Sequence, residues 1–260
     1  LYLIQSKFPG FNIHASTQMA IHNLAGVKQM EQLGFKRVVL ARELSVAEIK
    51  SIAENTSMEI ETFIHGALCY SYSGLCFFSS MIGGRSGNRG KCAQPCRKSY
   101  NSQSGEGGYL FSMKDLLTLS GIRDLVDAGV SSLKIEGRMK SPEYVAVVTD
   151  AYRKAIDGDL SDQDEIANRI KTVFSRETTS AYVTGNNNLS VKKDSDISQI
   201  KSTDIVTPSY PANIGLYVGE VIRSEDNHIV VRSEGSIGVR DLLQVFEDVS
   251  AKPALLHVKS

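Results

Sequence analysis

Short apolar runs alternate with amphipathic segments along the first 160 residues of the chain. The runs predict buried strands, because a parallel strand covered on both faces is almost continuously hydrophobic. Apolar residues that recur three and four positions apart predict helices between them. We expect strands at 11–15, 37–41, 58–64, 109–112 and 132–136, and helices at 18–33, 46–54, 122–128 and 142–156. Ser45 and Glu48 predict a capping box at the start of the second helix.

Repeated strand–helix units predict an α/β fold with a parallel sheet, either open or closed into a barrel. About five strands before residue 140 are too few for a complete eight-stranded barrel, so the sheet is open or the barrel begins upstream of Leu1. From about residue 158 the pattern changes, with an acidic stretch at 157–165 that we expect to be flexible and a polar stretch at 185–202. Short alternating strands expected at 216–218, 221–222, 229–231 and 243–245 predict a small antiparallel β domain.

The composition of the 260 residues is that of an ordinary globular protein, with 42% hydrophobic residues and a formal net charge of zero. Zero charge argues against a polybasic surface, although it allows a local basic patch. No apolar run is long enough to span a bilayer, and residues 1–5 lack the features of a signal peptide. We therefore expect a cytoplasmic protein without a membrane partner. Because the chain opens on Leu1, we expect it to be a piece of a longer protein.

The four cysteines of the chain, Cys69, Cys76, Cys92 and Cys96, follow the predicted strand 58–64. In parallel α/β folds, ligands collect at that edge of the sheet. Thiolates bind iron–sulfur clusters, zinc or cuprous copper. A zinc site usually supplies thiols as pairs two to four residues apart, and only the second pair here meets that rule. The spacing favours a four-iron cluster, with zinc or unligated thiols as alternatives.

The segment around the cysteines carries positive charge alone, because no Asp or Glu occurs from Thr62 to Gly105. Its basic residues are Arg85, Arg89, Lys91, Arg97 and Lys98. Such a loop would stabilise an anionic cluster or contact phosphate groups. We predict that Arg89 and Arg97 bind substrate.

Polar side chains also mark the ends of predicted strands. Lys134 and Glu136 alternate onto one face, and Arg138 follows them, where its guanidinium could bind a carboxylate or phosphate. The alternative is a structural ion pair of Lys134 with Glu136 or Glu61. Glu61 and His65 share a strand face and are candidate acid–base groups. The candidate catalytic residues are thus Glu61, His65 and Glu136, and Gln18, Lys134 and Arg138 join Arg89 and Arg97 as candidate substrate-binding residues, with Glu43 completing the polar pocket.

Four longer motifs carry a resemblance to a known family: ETFIHGALC (61–69), SGLCFFS (73–79), NRGKCAQPCR (88–97) and LKIEGRMKSP (133–142). With the shorter match LARELS (40–45), they closely resemble the collagenase-like peptidases, peptidase family 32 of unassigned catalytic type. The similarity runs from about His14 to Tyr182, and residues 207–246 resemble the C-terminal β module of the family more loosely.

The resemblance implies a partial TIM-like (β/α) barrel at 1–185 that carries the cysteine loop 69–96. A linker at 186–212 and a small β-barrel-like domain at 213–260 would follow. It also implies a [4Fe-4S] cluster on the four cysteines. Members of the family are linked to hydroxylation of transfer RNA, ribosomal RNA or the ubiquinone ring, in some cases with prephenate as the hydroxyl donor.

Two function classes are therefore open. The first is an iron–sulfur component of tRNA or ribosomal RNA hydroxylation, and the second is a peptidase acting on protein substrates. Peptidase chemistry needs an activated nucleophile or a metal-bound water, and neither pattern is legible among the five histidines. A third interpretation is a scaffold in which the cluster is a structural staple. We predict RNA modification.

Overall fold

The computed structural model describes residues 1–101, 103, 105, 107–159, 162–180, 182–183, 205–207, 209–225, 228–248 and 251–258. The α-helices in these ranges are α1 (Tyr2–Lys7), α2 (Leu24–Gln32), α3 (Val46–Ala53), α4 (Phe78–Gly83), α5 (Ile122–Asp127), α6 (Pro142–Asp157) and α7 (Gln163–Val173). The strands are β1 (His14–Ala15), β2 (Arg37–Val39), β3 (Glu59–Ala67), β4 (Tyr100–Asn101), β5 (Gly107–Gly108), β6 (Asp115–Leu117), β7 (Ser132–Ile135), β8 (Thr178–Thr179), β9 (Gly219–Glu225), β10 (His228–Ser233), β11 (Leu242–Val245) and β12 (Ala254–His257).

A six-stranded mixed sheet is built around β3, the longest strand. It runs in the order β1-β2-β3-β6-β8, and β7 also pairs with β3. β3 is parallel to β2 and β7, but its last residues, His65 to Ala67, pair antiparallel with β6. Nine residues of β3 thus contact three neighbours, which explains why seven of them are buried.

One apolar core joins this sheet to its helices. The side chains that β3 buries in it include Ile60 and Ile64, and α6 buries Tyr144 and Val148 against them. Fully burying one such aliphatic side chain stabilises the fold by about 1.5–3 kcal/mol. The helices α2, α3, α6 and α7 each begin after a residue whose side chain accepts a hydrogen bond from a free N–H group of the first turn. Ser45 and Glu48 form the expected capping box of α3, and Ser141 caps α6.

The α/β class is confirmed, but a TIM-like barrel is not. The described strands form an open sheet, and the antiparallel β6 departs from the all-parallel barrel pattern. The strand predicted at 109–112 is wrong: these residues turn, with the Ser112 N–H bonded to the Tyr109 carbonyl, and the strand comes later as β6.

Two helices also differ from prediction. The helix expected at 18–33 splits into a 3-10 turn at Thr17–Met19 and α2, because Ala20 adopts a left-handed conformation and Asn23 caps α2. The acidic stretch expected to be flexible starts α7 instead, where Asp162 caps the helix through the Glu165 N–H. Acidic residues in the first turn of a helix stabilise it through the helix dipole. The acidic residues at 162–165 were therefore a signal for the start of a helix that the sequence analysis did not use.

The C-terminal strands pair as two antiparallel ladders, β9 with β10 and β11 with β12. The expected strand at 216–218 is absent from the described residues, and β12 was not predicted. Most of the predicted linker lies outside the described residues. Its described part bonds to the first part of the chain, since Val206 forms a bridge with Met113 and the Thr207 N–H donates to the Ser112 carbonyl. The domain division stays a prediction. None of the described helices has the length and hydrophobicity needed to cross a bilayer.

Candidate cysteine-cluster site

The cysteine segment starts directly after β3. Cys69 lies two residues beyond the end of that strand, and Cys76 precedes α4. Two short 3-10 helices, Gly87–Arg89 and Pro95–Arg97, lie on either side of Cys92, and the second of them contains Cys96. The segment is therefore located at the carboxyl end of a strand that is parallel to two of its neighbours, which is the edge the sequence predicted.

Polar contacts fasten the segment to the fold and to itself. The buried Ser73, between the first two cysteines, donates from its N–H and hydroxyl to Glu43 Oε1 over 2.9 and 3.2 Å. Asn88 donates to the Gly74 carbonyl over 2.9 Å, and the Ala93 N–H donates to the hydroxyl of the buried Ser79 over 2.9 Å. These bonds hold the two cysteine pairs together although 15 residues separate Cys76 from Cys92.

The four thiols lie close enough to influence one another electrostatically. Burial raises the pKa of the Cys96 thiol, and the charges of Cys69, Cys92 and Cys76 raise it further against the lowering effect of Arg97. All four cysteines are free, and Cys69 is exposed. Within the described residues, no three His, Cys, Asp or Glu side chains are placed to hold one metal ion. The thiols of Cys69, Cys76 and Cys92 are thus near enough to Cys96 to affect its pKa.

Two of the sulfur atoms accept hydrogen bonds. Arg42 Nη1 donates to Cys69 Sγ over 3.1 Å, and the backbone N–H of Gln94 donates to Cys92 Sγ over 3.3 Å. Gln94 reaches this position in a left-handed conformation, with φ of 53°, which is uncommon for a residue other than glycine. Hydrogen-bond donors to a ligating sulfur atom orient it toward a metal.

Arg97 is a buried anchor of the segment and not an exposed phosphate ligand. Its Nη1 donates to the Ser112 hydroxyl over 2.9 Å and to the Met113 carbonyl, and its Nη2 donates to the Leu68 carbonyl. Asp115 lies 3.6 Å from Arg97 and accepts two hydrogen bonds from Arg176 Nη1 over 3.0 and 3.1 Å. Arg97 therefore ties the residue before Cys69 to β6, contrary to the predicted role in substrate binding.

A second polar group occupies the charged face of the sheet. Glu61 Oε1 accepts from Lys134 Nζ over 2.8 Å, and Glu61 Oε2 accepts from Arg37 Nη1 over 3.1 Å. Burial raises the pKa of Glu61, but hydrogen bonds from Lys134 and Ser132 outweigh burial and keep the pKa below its ordinary value. Lys134 thus has Glu61 as its ion-pair partner, and Glu61 is ionised near neutral pH.

His65 is a buried histidine whose ring Nδ1 lies 3.3 Å from the Tyr152 hydroxyl. Burial lowers the pKa of His65 to about 4, although the charge of Asp115 opposes the shift. Burial also lowers the pKa of the neighbouring Lys140, to about 8. The imidazole is neutral at neutral pH and is enclosed by aromatic rings, which is the environment of a core histidine.

The other predicted site residues are not brought together. Gln18, Arg89 and Arg138 are exposed, and Gln18 bonds to the hydroxyl of Ser16. Glu136 accepts a hydrogen bond from the Arg138 N–H over 2.9 Å, so its carboxylate caps the turn after β7. Sequence reasoning did not single out three residues on which the site depends, namely Arg42, Asp115 and Arg176. Arg42 alone carried a signal, because it follows a predicted strand at the carboxyl edge.

These features define an α/β protein with a cysteine-rich segment at the carboxyl edge of its sheet, and the chain belongs to Peptidase family U32, whose family model matches residues 1–193. The chain is 36% identical over 239 residues to the 23S rRNA 5-hydroxycytidine C2501 synthase of Escherichia coli, covering 88% of this chain and 36% of that protein. It is 38% identical over 195 residues to tRNA hydroxylation protein P1 of Bacillus subtilis, covering 68% of this chain and 46% of that protein.

A third relative has a different name. The Collagenase of Porphyromonas gingivalis is 35% identical over 201 residues, covering 68% of this chain and 48% of that protein. The chain thus spans between about a third and a half of the length of these relatives. No solved structure matches it. The predicted family is confirmed, and its relatives include both RNA hydroxylation proteins and a collagenase.

Proposed function

We propose that this chain is part of an enzyme that hydroxylates bases of transfer or ribosomal RNA, with a [4Fe-4S] cluster held by Cys69, Cys76, Cys92 and Cys96. The observation that carries the proposal is the gathering of four free thiols in one segment free of carboxylates, beside donors to sulfur. The similarity to relatives named for rRNA and tRNA hydroxylation supports RNA as the substrate.

The donor set fits the cluster. Four thiolates are the usual ligands of a four-iron cluster, whereas a single zinc ion would need all four sulfur atoms about 2.3 Å from one point. All four ligands that such a cluster needs are available here, because the four cysteines are free. The donors from Arg42 and Gln94 would balance its negative charge. When bound, such a cluster supplies one-electron chemistry and a cross-link among the four cysteines.

The exposed basic residues of the segment supply a surface for a polyanion. Arg89, Lys91 and Lys98 are exposed, and no acidic residue lies near them in the sequence. Cations of this kind contact phosphate groups and carry no sequence information. On the sheet, Lys134 keeps 41% of its side chain exposed beside Phe63, where it would contact a flipped-out base or a small carboxylate such as prephenate.

The cluster is tested on protein purified without oxygen. We expect four iron and four sulfide per chain and the visible absorption of a cubane cluster. Each Cys→Ala variant should lose most of the iron, whereas Ser86→Ala, in the same loop, should keep it. One zinc and no iron would refute the cluster.

The RNA surface is tested with a triple variant, Arg89→Gln, Lys91→Gln and Lys98→Gln. Each lost phosphate contact should reduce the slope of log K against log salt by about 0.7 to 0.9. The matched control changes three exposed basic residues on helices, Lys28, Lys50 and Arg153, and should leave RNA binding unchanged. Equal effects of both triples would refute a specific surface. Deleting the complete gene should also remove a hydroxylated nucleoside from purified RNA, measured by mass spectrometry.

A peptidase is the second candidate, since one relative is named a collagenase. The geometry gives it little support. The rings of His22, His65 and His228 contact the Ala20 carbonyl, the Tyr152 hydroxyl and the Glu225 carboxylate, respectively, so none of these three bonds is the bond to a serine or cysteine nucleophile that peptidase chemistry needs. Two results together would overturn the proposed hydroxylation in favour of proteolysis. The pure protein would cleave peptides and lose this activity in His65→Gln or Glu136→Gln, and deleting the gene would leave the RNA nucleosides unchanged.

A further inference from the structure

Arg42 links the end of β2 to the first cysteine. It follows that strand by three residues, and its Nη1 donates to Cys69 Sγ over 3.1 Å. Among the hydrogen bonds of the described residues, this one alone brings a basic side chain to a cysteine sulfur. The other basic side chains near the cysteines bond elsewhere: Arg85 Nε donates to the Lys91 carbonyl, and Arg97 donates to oxygen atoms.

The surroundings of Arg42 fix its side chain and its backbone separately. The guanidinium lies 4.4 Å from the centre of the Phe63 ring, which is 7% exposed, so a cation–π contact holds it on β3. The backbone N–H of Arg42 donates to the Ser73 hydroxyl over 3.2 Å, and the adjacent Glu43 accepts from Ser73 as well. The donor to Cys69 is thus held in place before any ligand binds.

One donor of this guanidinium is still unused. Arg42 Nε is buried and has no hydrogen-bond partner within the described part of the chain. A buried donor without an acceptor is unfavourable, and most such groups in proteins are satisfied. A ligand that brings acceptor atoms beside Cys69 would satisfy it. Cluster sulfide and cysteine thiolate are acceptors of that kind.

We propose that Arg42 is a positioning residue for the cluster. One N–H orients the Cys69 sulfur, and the positive charge stabilises the anionic cluster in its more reduced state. Hydrogen bonds to ligating sulfur atoms have both effects, because they fix the ligand and withdraw negative charge from it. This inference rests on the proposed function, since it requires an iron–sulfur cluster on the four cysteines.

The test compares Arg42→Gln and Arg42→Met with Arg153→Gln, all loaded with the cluster without oxygen. Arg153 is the control, because it is an exposed arginine on α6, outside the cysteine segment, that pairs with Asp157 and not with sulfur. Two quantities are measured: the rate at which a chelator removes iron, and the midpoint potential from an anaerobic titration followed by electron paramagnetic resonance.

Both Arg42 variants should lose iron about tenfold faster than the wild-type chain, as expected when a partner of a metal ligand is removed. At a fixed potential, the ratio of reduced to oxidised cluster should also fall about tenfold. For a one-electron couple, this corresponds to a midpoint potential lower by about 59 mV. Arg42→Lys keeps the charge but not the planar guanidinium, so its rate of iron release and its midpoint potential should lie between those of the wild-type chain and those of the other two Arg42 variants. Arg153→Gln should behave as the wild-type chain.

The outcomes separate this inference from the function on which it rests. A wild-type chain that binds no iron overturns both. A wild-type chain that holds the cluster, with iron release and potential unchanged in the Arg42 variants, overturns the role of Arg42 alone. Thermal unfolding of the cluster-free proteins checks folding, and if Arg42→Gln unfolds, Arg42→Met supplies the comparison because its aliphatic side chain still packs on Phe63.

Discussion

Asp115 is the shared ion-pair partner of two buried arginines, and replacing it by asparagine should strongly destabilise the protein. Its carboxylate lies 3.0 Å from Arg176 Nη1 and 3.6 Å from Arg97 Nη2. The three side chains are between 9% and 11% exposed, so water screens these charges little. Asp115→Asn preserves the shape but leaves two buried positive charges without a carboxylate.

The expected loss follows from that burial. Removing one partner of a buried ion pair costs about 3–5 kcal/mol, because the remaining charge is no longer compensated. That is a large part of the roughly 5–15 kcal/mol by which natural proteins are stable. The loss should also reach the cysteine segment, since Arg97 holds the Leu68 carbonyl next to Cys69.

Urea unfolding followed by circular dichroism measures the change. The control is Asp157→Asn, which breaks a pair with Arg153 in which both side chains are 59% exposed, and we expect no change beyond experimental error. Arg176→Met added to Asp115→Asn should cost less than the sum of the two single losses, because it removes one stranded charge. A loss below about 1 kcal/mol for Asp115→Asn would refute the reasoning.

Two further predictions concern β3. Burial lowers the pKa of His65 to about 4 in the folded chain, against an ordinary value of 6.5. Between these pH values the imidazole binds a proton in the unfolded chain but not in the folded chain. The free energy of unfolding should therefore fall by about 3 kcal/mol as the pH decreases through this window. In urea unfolding, His65→Gln should remove that part of the pH dependence, while His257→Gln, at an exposed position, should keep it. Equal slopes of unfolding free energy against pH in the wild-type chain and both variants would contradict this prediction. Gly66 has a φ of 100°, and a Cβ there would lie 2.6 Å from the Glu136 carbonyl oxygen, so Gly66→Ala should lower the free energy of unfolding by about 1–3 kcal/mol. Gly83→Ala, which meets no atom within 4 Å, is its control, and equal unfolding midpoints would contradict the strain.

Local signals in the sequence predicted the elements that depend on local contacts. The capping box of α3 and the apolar face of α6 involve residues three or four positions apart, so their pattern is visible without the fold. The strand order depends on contacts over much longer separations. β7 pairs with β3 across about 70 residues, and nothing in the local pattern indicates that β6 runs antiparallel beside them.

The candidate site shows the same division. Grouping of the cysteines was visible, because all four lie in one segment. The role of Arg97 was not, because charge alone does not tell which of several basic residues will be buried. Its ion-pair partner Asp115 comes from β6, and Arg176, which shares that carboxylate, lies two positions before β8. The prediction treated Arg97 and Arg89 alike, although one is an anchor and the other is exposed.

This difference between buried and exposed cations bears on how a chain of zero net charge would bind the RNA proposed as its substrate. Arg97 and Arg176 are buried and share the Asp115 carboxylate, so their guanidinium groups are not free to contact phosphate. The exposed Arg89, Lys91 and Lys98 have no acidic neighbour in sequence, since the 29 acidic residues of the chain all lie outside Thr62–Gly105. RNA would therefore be attracted to the cysteine segment and repelled by acidic surfaces such as the start of α7, which orients it on approach. Binding that rests on so few phosphate contacts should depend on salt only modestly, with the dependence confined to this loop.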